Sequence, residues 1–492
     1  MNARRQSGAG PLVVLTIAAL IPALLLWAIW RWADGEAAAA DDAVPETDSS
    51  VPVATEPAQP ALSTGLLSMR RTAGELSRRL NVVAFQDAAT SMTPLINDRS
   101  CSAISLDGTD VGAVNADTIV IPASNQKILV AAVAEDVLGN DFRYTTRVVG
   151  PQPSGGVVSG DVYLVGGGDP LLSGEWYPES NLDRNPVFDI TSLDQLARNL
   201  VAAGVTRIDG TVRGDGSRYD DEYYIDSWGE GVAGIEAGPY DALLVNDARV
   251  QGDDQRGSDP NEAGAREFVR ILAEQGVVVS GGSGTGVAPG DVPELASIES
   301  QPLPSAIAEM LTNSDNNTAE MMVKEIGVAV SGQGTREAGL NAIAATIAGW
   351  GIDTTGMVLG DGSGLSLDNR ISCATLLDVL QYSTYDSSVG AGMAIAGETG
   401  TLSDIFTDTP VAGRMRAKTG TLNNPPFDQD PPAVKALSGY LPVDGGGAIE
   451  FVLILNGPTI SDQSEYRQVW AELVNVLNSF PAVASPAALG PR

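Results

Sequence analysis

The order of apolar and polar positions divides the chain into segments of different character. Residues 11–30 form an apolar run of 20 residues without a charge. At about 1.5 Å per residue, a helix of that length crosses one bilayer core. Residues 33–60 then combine alanine and proline with seven acidic side chains and no basic one, which is typical of a solvated tether that does not fold. We therefore expect an N-terminal tail at 1–10, a linker at 31–64 and a folded region from residue 65.

The apolar N-terminal run has two possible interpretations. Arg4 and Arg5 precede it without any acidic residue, an arrangement that keeps the N-terminus in the cytoplasm and exports the rest. The run is long for a cleaved secretory signal, and Arg31-Trp32 follows like an interfacial anchor, so we expect an uncleaved membrane anchor. A cleaved signal is the alternative, because small residues at 37–40 offer a cleavage site. Both interpretations place the folded region outside the cytoplasm.

Periodicity within the folded region predicts helices that flank an antiparallel sheet, an α+β fold. Helices are expected at residues 66–80, 128–138, 305–311, 318–330, 340–350 and 464–480. Strands are expected at residues 102–106, 118–121, 433–443 and 448–456, with turns at Asp107-Gly108 and at 444–447.

The amino-acid composition and the hydrophobic pattern change between residues 150 and 296. Glycine is frequent there, one helix is expected at 265–275, and short strand-like runs recur at residues 157–165, 206–212 and 242–250. We therefore predict a β-rich insertion in an α+β domain that is formed by residues 65–149 and 297–480. A flexible tail is expected at 481–492.

The amino-acid composition limits the types of catalysis and ligand binding that this chain can perform. With 62 acidic and 29 basic side chains the net charge is −33, which disfavours binding to nucleic acid. The absence of histidine removes Ser-His-Asp catalysis and His-ligated metal sites, and two cysteines are too few for a zinc cage. An enzyme would have to use Ser, Thr, Lys, Tyr, Asp or Glu. Lysine can act as a base when it is buried, unlike arginine, and the chain contains only Lys127, Lys324, Lys418 and Lys435.

The first candidate motif is Ser124-Asn125-Gln126-Lys127, at the start of an apolar helix. Ser124 lies near the positive end of the helix dipole, and Lys127, three residues on, shares its face. Apolar surroundings lower the pKa of the lysine, as a base for a serine hydroxyl requires. A capping serine followed by an unrelated lysine is the structural alternative.

The second motif is Ser314-Asp315-Asn316, in a turn between two helices. A loop serine can relay a proton, and an asparagine amide can bond both a lysine and a substrate carbonyl. Taken alone, an ordinary helix cap is the better explanation, because caps prefer these residue types.

The third motif is Lys418-Thr419-Gly420-Thr421, just before the C-terminal hairpin. On a strand edge it offers backbone groups to an extended peptide. Its ammonium and hydroxyls can hold a carboxylate, and Gly420 allows a substrate backbone to approach closely. A turn at a strand end is the alternative.

In this order the three motifs are those of serine acyl-transfer enzymes of the penicillin-binding protein and β-lactamase type. The stretches PASNQK, GDVYLVGGGDPLL, TNSDNNTAEMM, LGDGSGLS, AGETGTL and AKTGTL make residues 65–480 resemble the D-alanyl-D-alanine carboxypeptidase/endopeptidase family of low-molecular-mass penicillin-binding proteins (peptidase family S13), in particular its actinobacterial members. That family has a transpeptidase-like domain with two domains inserted between the first and second motifs. The resemblance implies hydrolysis of peptidoglycan stem peptides through an acyl-enzyme, covalent inhibition by β-lactams, and no metal or organic cofactor.

The resemblance also implies roles for the motif residues. Ser124 is expected to be the acylated nucleophile and Lys127 its general base, with the backbone amides of Ser124 and Thr421 as the oxyanion hole. The residues expected to complete the proton relay or to bind the substrate are Ser314, Asn316, Lys418, Thr419, Gly420 and Thr421, with Lys418 and Thr419 near the terminal carboxylate.

Recognition of the third stem-peptide residue is less clear from this sequence. Family members that bind the free end of a diaminopimelate side chain use an arginine directly after SGLS and an acidic residue in the insertion. Here Leu367 follows SGLS and Arg370 is displaced, while the acid corresponds to Glu230, where members more often have Asp. Either Arg370 fills the role after a loop shift, or the pocket takes a neutral, amidated side chain.

Two other functions stay open on the sequence. A β-lactamase is disfavoured by the long insertion between Ser124 and Ser314 and by the lack of an obvious deacylation carboxylate. A catalytically silent cell-wall-binding or scaffold protein is disfavoured by the intact motifs.

The two cysteines are expected to pair. Export would place Cys101 and Cys373 in an oxidising compartment, where disulfides persist. Two separate buried thiols are the alternative.

Overall fold

A computed structural model describes residues 69–182, 185–228, 231–423, 433–444, 447–460 and 462–481, with side chains from residue 78 onward. The predicted N-terminal segments at residues 1–64 lie outside this range, as do Glu230 and residues 482–492 of the predicted tail. Among the residues that are described, no helix is both long and apolar enough to cross a membrane.

The helices follow the predicted order along the chain. They are α1 (Met69–Ala89), α2 (Gln126–Leu138), α3 (Leu193–Ala202), α4 (Pro260–Glu274), α5 (Leu303–Ala308), α6 (Asn316–Ser331), α7 (Arg336–Gly349), α8 (Cys373–Ser383), α9 (Ser388–Gly392) and α10 (Gln463–Asn478).

The strands are short in the middle of the chain and long near its C-terminus. They are β1 (Cys101–Leu106), β2 (Thr109–Val114), β3 (Ile119–Val120), β4 (Thr145–Val149), β5 (Val157–Val158), β6 (Val162–Val165), β7 (Leu172–Ser173), β8 (Thr191–Ser192), β9 (Arg207–Ile208), β10 (Val212–Asp215), β11 (Val278–Val279), β12 (Ser283–Thr285), β13 (Glu294–Glu299), β14 (Ile371–Ser372), β15 (Ala394–Ile395), β16 (Arg416–Leu422), β17 (Ala433–Pro442) and β18 (Ala448–Gly457).

A six-stranded antiparallel sheet in the order β15-β16-β17-β18-β1-β2 carries the third motif on β16. Every residue of β18 is buried, because both faces of the sheet are covered. Val452 and Ile454 pack with the apolar side of α2 on one face, while Leu453 and Leu455 pack with α1 and α10 on the other. This alternation is that of a central strand. The α+β fold expected from the sequence is confirmed.

A second, five-stranded sheet in the order β12-β10-β6-β4-β13 is mixed. Strand β10 runs parallel to β6 and β12, whereas β4 is antiparallel to β6 and β13. Helices α3 and α4 bury their apolar faces against it. In sequence this sheet extends from Thr145 to Glu299, a few residues beyond the expected limits at 150 and 296. The division into domains stays a prediction.

Three details of the sequence-based expectation are wrong. The Asp107-Gly108 turn leads into β2, a strand that was not predicted, whereas the strand expected at 118–121 is only the two-residue β3. The run 242–250 forms no strand. Its apolar side chains are buried, but Asn246, Asp247 and Ala248 have φ values of 50°, 53° and 59°, and three successive left-handed residues cannot continue a strand.

A disulfide joins the two sequence segments of the predicted catalytic domain. Cys101 opens β1 and Cys373 opens α8, and their Cα atoms lie 5.9 Å apart. Both side chains are buried. The predicted pairing is confirmed.

Candidate active site

A short turn places Ser124 at the start of α2. Residues Ala123–Asn125 form one 3-10 turn that continues directly into the helix, and Ala123 takes a left-handed φ of 49°. Strand β16 passes against this turn, since a Cβ added at Gly420 would lie 3.1 Å from the Ala123 Cβ. Because Gly420 has no side chain, the third motif can pack closely against the turn that carries the first motif.

The Lys127 amine is the centre of the site. Its Nζ donates to Ser124 Oγ at 3.1 Å, to Asn316 Oδ1 at 2.7 Å and to the Ser363 carbonyl at 2.6 Å. Burial lowers the pKa of Lys127 from 10.5 to about 8, although the charges of nearby carboxylates act in the opposite direction. An amine with that pKa is partly neutral near neutral pH, as a base must be.

The second motif pairs with the third. A π-helical turn, Glu309–Asn313, ends just before Ser314, which takes a left-handed φ of 64°. Asp315 then caps α6 by accepting the Thr318 backbone N–H at 2.6 Å. This path presents Ser314 Oγ to Lys418 Nζ at 2.7 Å.

Lys418 lies beneath the cleft surface. Its side chain is fully buried, and its Nζ also donates to the Thr419 carbonyl at 2.8 Å. Burial and the neighbouring Lys127 together lower the pKa of Lys418 well below its usual range. Lys418 therefore contacts Ser314, whereas its hydroxyl neighbours Thr419 and Thr421 line the cleft.

A tight loop at residues 361–366 supplies the Ser363 carbonyl that Lys127 contacts. The buried Asp361 carboxylate accepts the backbone N–H groups of Gly364 at 2.9 Å and Ser366 at 2.6 Å. Glu320 accepts the Ser363 N–H at 2.7 Å. Gly364 has a φ of +85°, and a Cβ there would lie 2.0 Å from the Ala123 carbonyl oxygen. Sequence reasoning used this stretch only as a resemblance and missed its contact with the base.

The cleft has a volume of about 470 Å³. Five of the predicted residues line it, namely Ser124, Ser314, Asn316, Thr419 and Thr421. Other lining residues were given no role from the sequence, and they include Tyr177, Glu236, Asp247, Arg256, Thr401 and Lys435. The first four come from the predicted insertion. No local motif marks these four, because they reach the cleft only through the fold.

Arg370 is not among the described residues that line this cleft. The Arg370 guanidinium donates to the carbonyls of Leu367 at 2.6 Å and Asn369 at 2.9 Å, and its backbone pairs with Val358. The expectation that Arg370 contacts the substrate is not supported, because it is turned toward its own loop. The position of Glu230 stays a prediction.

Comparison with known proteins gives a consistent assignment. The profile of the D-Ala-D-Ala carboxypeptidase 3 (S13) family matches residues 104–252 and 243–479. A D-alanyl-D-alanine carboxypeptidase of an Actinomadura species is 29% identical, covering 69% of this chain and 73% of that protein. A carboxypeptidase of Mycobacterium tuberculosis is 31% identical, covering 69% of this chain and 72% of that protein.

The fold has relatives among solved structures. Penicillin-binding protein 4 of Haemophilus influenzae aligns with a TM-score of 0.63 at 20% identity, covering 79% of this chain and 98% of that protein. At this identity the likeness concerns the fold. The family profile, by contrast, covers nearly all of the described chain, including all three motifs, and the chain therefore belongs to the D-Ala-D-Ala carboxypeptidase 3 (S13) family.

Proposed function

We propose that the protein is a serine-type D-Ala-D-Ala carboxypeptidase, with endopeptidase activity on the same chemistry, that cleaves peptidoglycan stem peptides through an acyl-enzyme. The observation that carries the proposal is the contact between Ser124 Oγ and the buried Nζ of Lys127 at 3.1 Å. In a chain without histidine, this pair supplies both a nucleophile and a base whose pKa is near 8.

Acylation begins on Ser124. Neutral Lys127 takes the hydroxyl proton while Ser124 Oγ attacks the carbonyl carbon of the penultimate D-Ala. The developing oxyanion is held by the backbone N–H groups of Ser124 and Thr421, where one donor in other enzymes contributes about 2.7–4 kcal/mol. Collapse of the tetrahedral intermediate breaks the peptide bond, and the leaving amine needs a proton.

The second lysine-serine pair provides a path for that proton. Ser314 Oγ lines the cleft and accepts a hydrogen bond from Lys418 Nζ. It can therefore donate its own proton to the leaving amine and take a proton from Lys418 in return. Lys127 releases the proton of the acylation step to solvent, and Lys418 regains one from solvent. Neutral Lys127 then takes a proton from water as the water oxygen attacks the Ser124 ester, and it returns that proton to Ser124 Oγ as the ester bond breaks. Asn316 holds Lys127 through Oδ1 and donates through Nδ2 to the Glu236 carbonyl at 2.8 Å, so it fixes the direction of the base.

The alternative of a β-lactamase requires rapid deacylation. Asp361, Asp315 and Glu320 are the carboxylates whose charges act on Lys127. Glu320 and Asp361 accept backbone N–H groups of the 361–366 loop, and Asp315 accepts the Thr318 N–H as the cap of α6. Carboxylates held in this way are not poised to activate a water. This arrangement favours a stable penicillin adduct, as expected of a penicillin-binding peptidase.

We also propose that the catalytic region works outside the cytoplasm, tethered to the cell membrane by residues 11–30. The apolar run preceded by Arg4 and Arg5 supports this topology, and the Cys101–Cys373 disulfide fits an oxidising compartment. Cell fractionation tests it: the full chain should sediment with membranes, whereas a chain that starts at residue 31 should not.

The activity is tested with a synthetic peptide that ends in D-Ala-D-Ala. The wild type should release D-alanine and Ser124→Ala should release none. Ser331→Ala, which removes a hydroxyl at the exposed end of α6, is the matched control and should retain activity. In parallel, a fluorescent penicillin should form a stable adduct. Rapid turnover of the penicillin would indicate a β-lactamase, and the absence of both labelling and D-alanine release would indicate a silent scaffold.

A further inference from the structure

Lys435 is the lysine that the three motifs leave unexplained at the cleft. Lys127, Lys324 and Lys418 are fully buried, whereas Lys435 lines the cleft together with Ser124. It lies on β17 directly opposite Thr421 of β16, and its Nζ donates to Thr421 Oγ1 at 2.8 Å. The ammonium is therefore placed beside the strand that carries the third motif.

Two aromatic rings of α10 hold this ammonium in position. Lys435 Nζ lies 4.4 Å from the centre of the Tyr466 ring and 5.5 Å from the centre of the Trp470 ring, within the range of a cation–π contact. These rings fix the charge without occupying its hydrogen-bond donors. Within the described part of the chain, one of the three N–H donors is bonded, to Thr421, so donors remain for a ligand.

Charged groups of both signs line the cleft. The carboxyl groups are those of Glu236, Asp247, Glu309 and Asp315. The other cation that lines the cleft, Arg256, is paired with Asp247 at 3.5 Å. Lys435 instead contacts the Thr421 hydroxyl, and the hydroxyls of Thr401 and Thr419, 3.0 Å apart, also line the cleft. Lys435 is thus the lining cation that has no carboxylate partner among the described residues, and an anion that enters the cleft is drawn to it.

We propose that Lys435, with the hydroxyls of Thr419 and Thr421, binds the terminal carboxylate of the peptide substrate. This inference rests on the proposed function and adds to it the residue that recognises a free C-terminus. The terminal carboxylate lies one residue beyond the scissile carbonyl. Thr421 serves both positions in this proposal, because its amide is an oxyanion donor of the proposed mechanism and its hydroxyl contacts Lys435. Lys418, the cation expected for this task from the sequence, is buried and bonded to Ser314.

The test compares two peptides that differ only at the C-terminus. One ends in D-Ala-D-Ala with a free carboxylate, and the other ends in D-Ala-D-alaninamide. Lys435→Met removes the charge and keeps an unbranched stem against the rings. We expect it to lower kcat/KM for the free acid about 10- to 100-fold, mainly through KM, because a charge-assisted hydrogen bond is lost. For the amide the change should stay below about twofold.

Two further variants separate recognition from general effects. Arg467→Met removes an exposed cation of the neighbouring helix α10 and should leave both peptides unaffected. Lys435→Arg keeps the charge and should retain the preference for the free acid. Lys435→Gln replaces Lys435→Met if that variant does not fold.

Each unfavourable result has a distinct meaning. An equal loss on both peptides in Lys435→Met would overturn the inference, since Lys435 would then only support the strand. An equal effect of Arg467→Met would overturn it as well, because the net field of the domain would be responsible. If the wild type released D-alanine from neither peptide, the proposed function would fail, and that outcome is visible before any Lys435 variant is measured.

Discussion

Lys127 is the single residue on which the chemistry depends most. Its ammonium has three hydrogen-bond acceptors, Ser124, Asn316 and Ser363, so the charged form is tolerated although the side chain is buried. Desolvation nevertheless lowers its pKa to about 8, against the opposing effect of Asp361 and other carboxylates. The balance leaves a lysine that can both hold and release a proton.

This balance predicts the pH dependence of acylation. Because the neutral amine is the active form and the pKa is lowered to about 8, the rate constant for penicillin acylation should rise about tenfold per pH unit below that value. Above pH 8 it should become constant. Stopped-flow measurements with a fluorescent penicillin over this range give the profile, and a flat profile would contradict the role of Lys127.

Replacement by arginine tests the same residue without removing its charge. Lys127→Arg should slow acylation at least about 100-fold, because a guanidinium does not release its proton in proteins. Thermal unfolding serves as the control for folding. A Lys127→Arg variant that acylates at the wild-type rate would show that the cation is structural.

The motif residues could be predicted from the sequence because their chemistry is local. A serine, a lysine and an asparagine at fixed short spacings form motifs that can be recognised in the sequence alone. Asp247 and Lys435 carry none, since they reach the cleft only through the three-dimensional fold. The contacts of Arg370 could not be predicted for the same reason, because nothing in the sequence shows that its guanidinium contacts its own loop.

Among the elements, long segments were predictable and short ones were not. The hairpin of β17 and β18 and the helices α6 and α10 lie within a few residues of their predicted limits, since their periodicity extends over many residues. The prediction of a strand at 242–250 is wrong because a buried loop can have the same apolar pattern as a strand. The left-handed conformation of Asn246 is not visible in that pattern.

The loop at residues 361–366 contacts both Lys127, through the Ser363 carbonyl, and the turn that carries Ser124, through Gly364. Gly364→Ala should destabilise the protein by about 1–3 kcal/mol, since a left-handed backbone must accept a side chain. It should also slow acylation about 100-fold, because a Cβ that meets the Ala123 carbonyl displaces the turn that carries Ser124.

A second glycine provides the control for this substitution. Gly349 ends α7 without a positive φ, and a Cβ there would have no atom within 4 Å. Gly349→Ala should leave acylation unchanged and stabilise the protein by about 0.4–1 kcal/mol. Urea unfolding and penicillin labelling measure both variants. Equal behaviour of the two would mean that the loop does not position Ser124.

At the scale of the whole molecule, the described chain is cross-linked across its predicted insertion. The Cys101–Cys373 disulfide closes a loop with a sequence separation of 272 residues. A link over such a distance restricts the unfolded chain strongly. The pairing could be expected from two cysteines and the predicted topology, but the 5.9 Å separation of their Cα atoms depends on the fold and could not.

Removal of this link should lower stability more than activity. The double variant Cys101→Ser, Cys373→Ser should lose about 2–5 kcal/mol in free energy of unfolding, as measured by urea titration of the oxidised wild type and the variant. Penicillin labelling at low temperature should persist, because neither cysteine lines the cleft. An unchanged free energy of unfolding would contradict the predicted contribution of the disulfide.

The insertion also completes the cleft. Tyr177, Glu236, Asp247 and Arg256, from the predicted insertion, line it together with Thr419, Thr421 and Lys435. The lining of the cleft therefore combines residues that are far apart in sequence, whereas the groups proposed to break the peptide bond come from three short motifs.

The most direct test of the central claim is to locate the penicillin adduct in the chain. Wild-type protein is incubated with benzylpenicillin, digested, and the modified peptide is sequenced by mass spectrometry. The account predicts one penicilloyl group, attached to Ser124. An adduct on another residue, or no adduct in a protein that releases D-alanine, would contradict it.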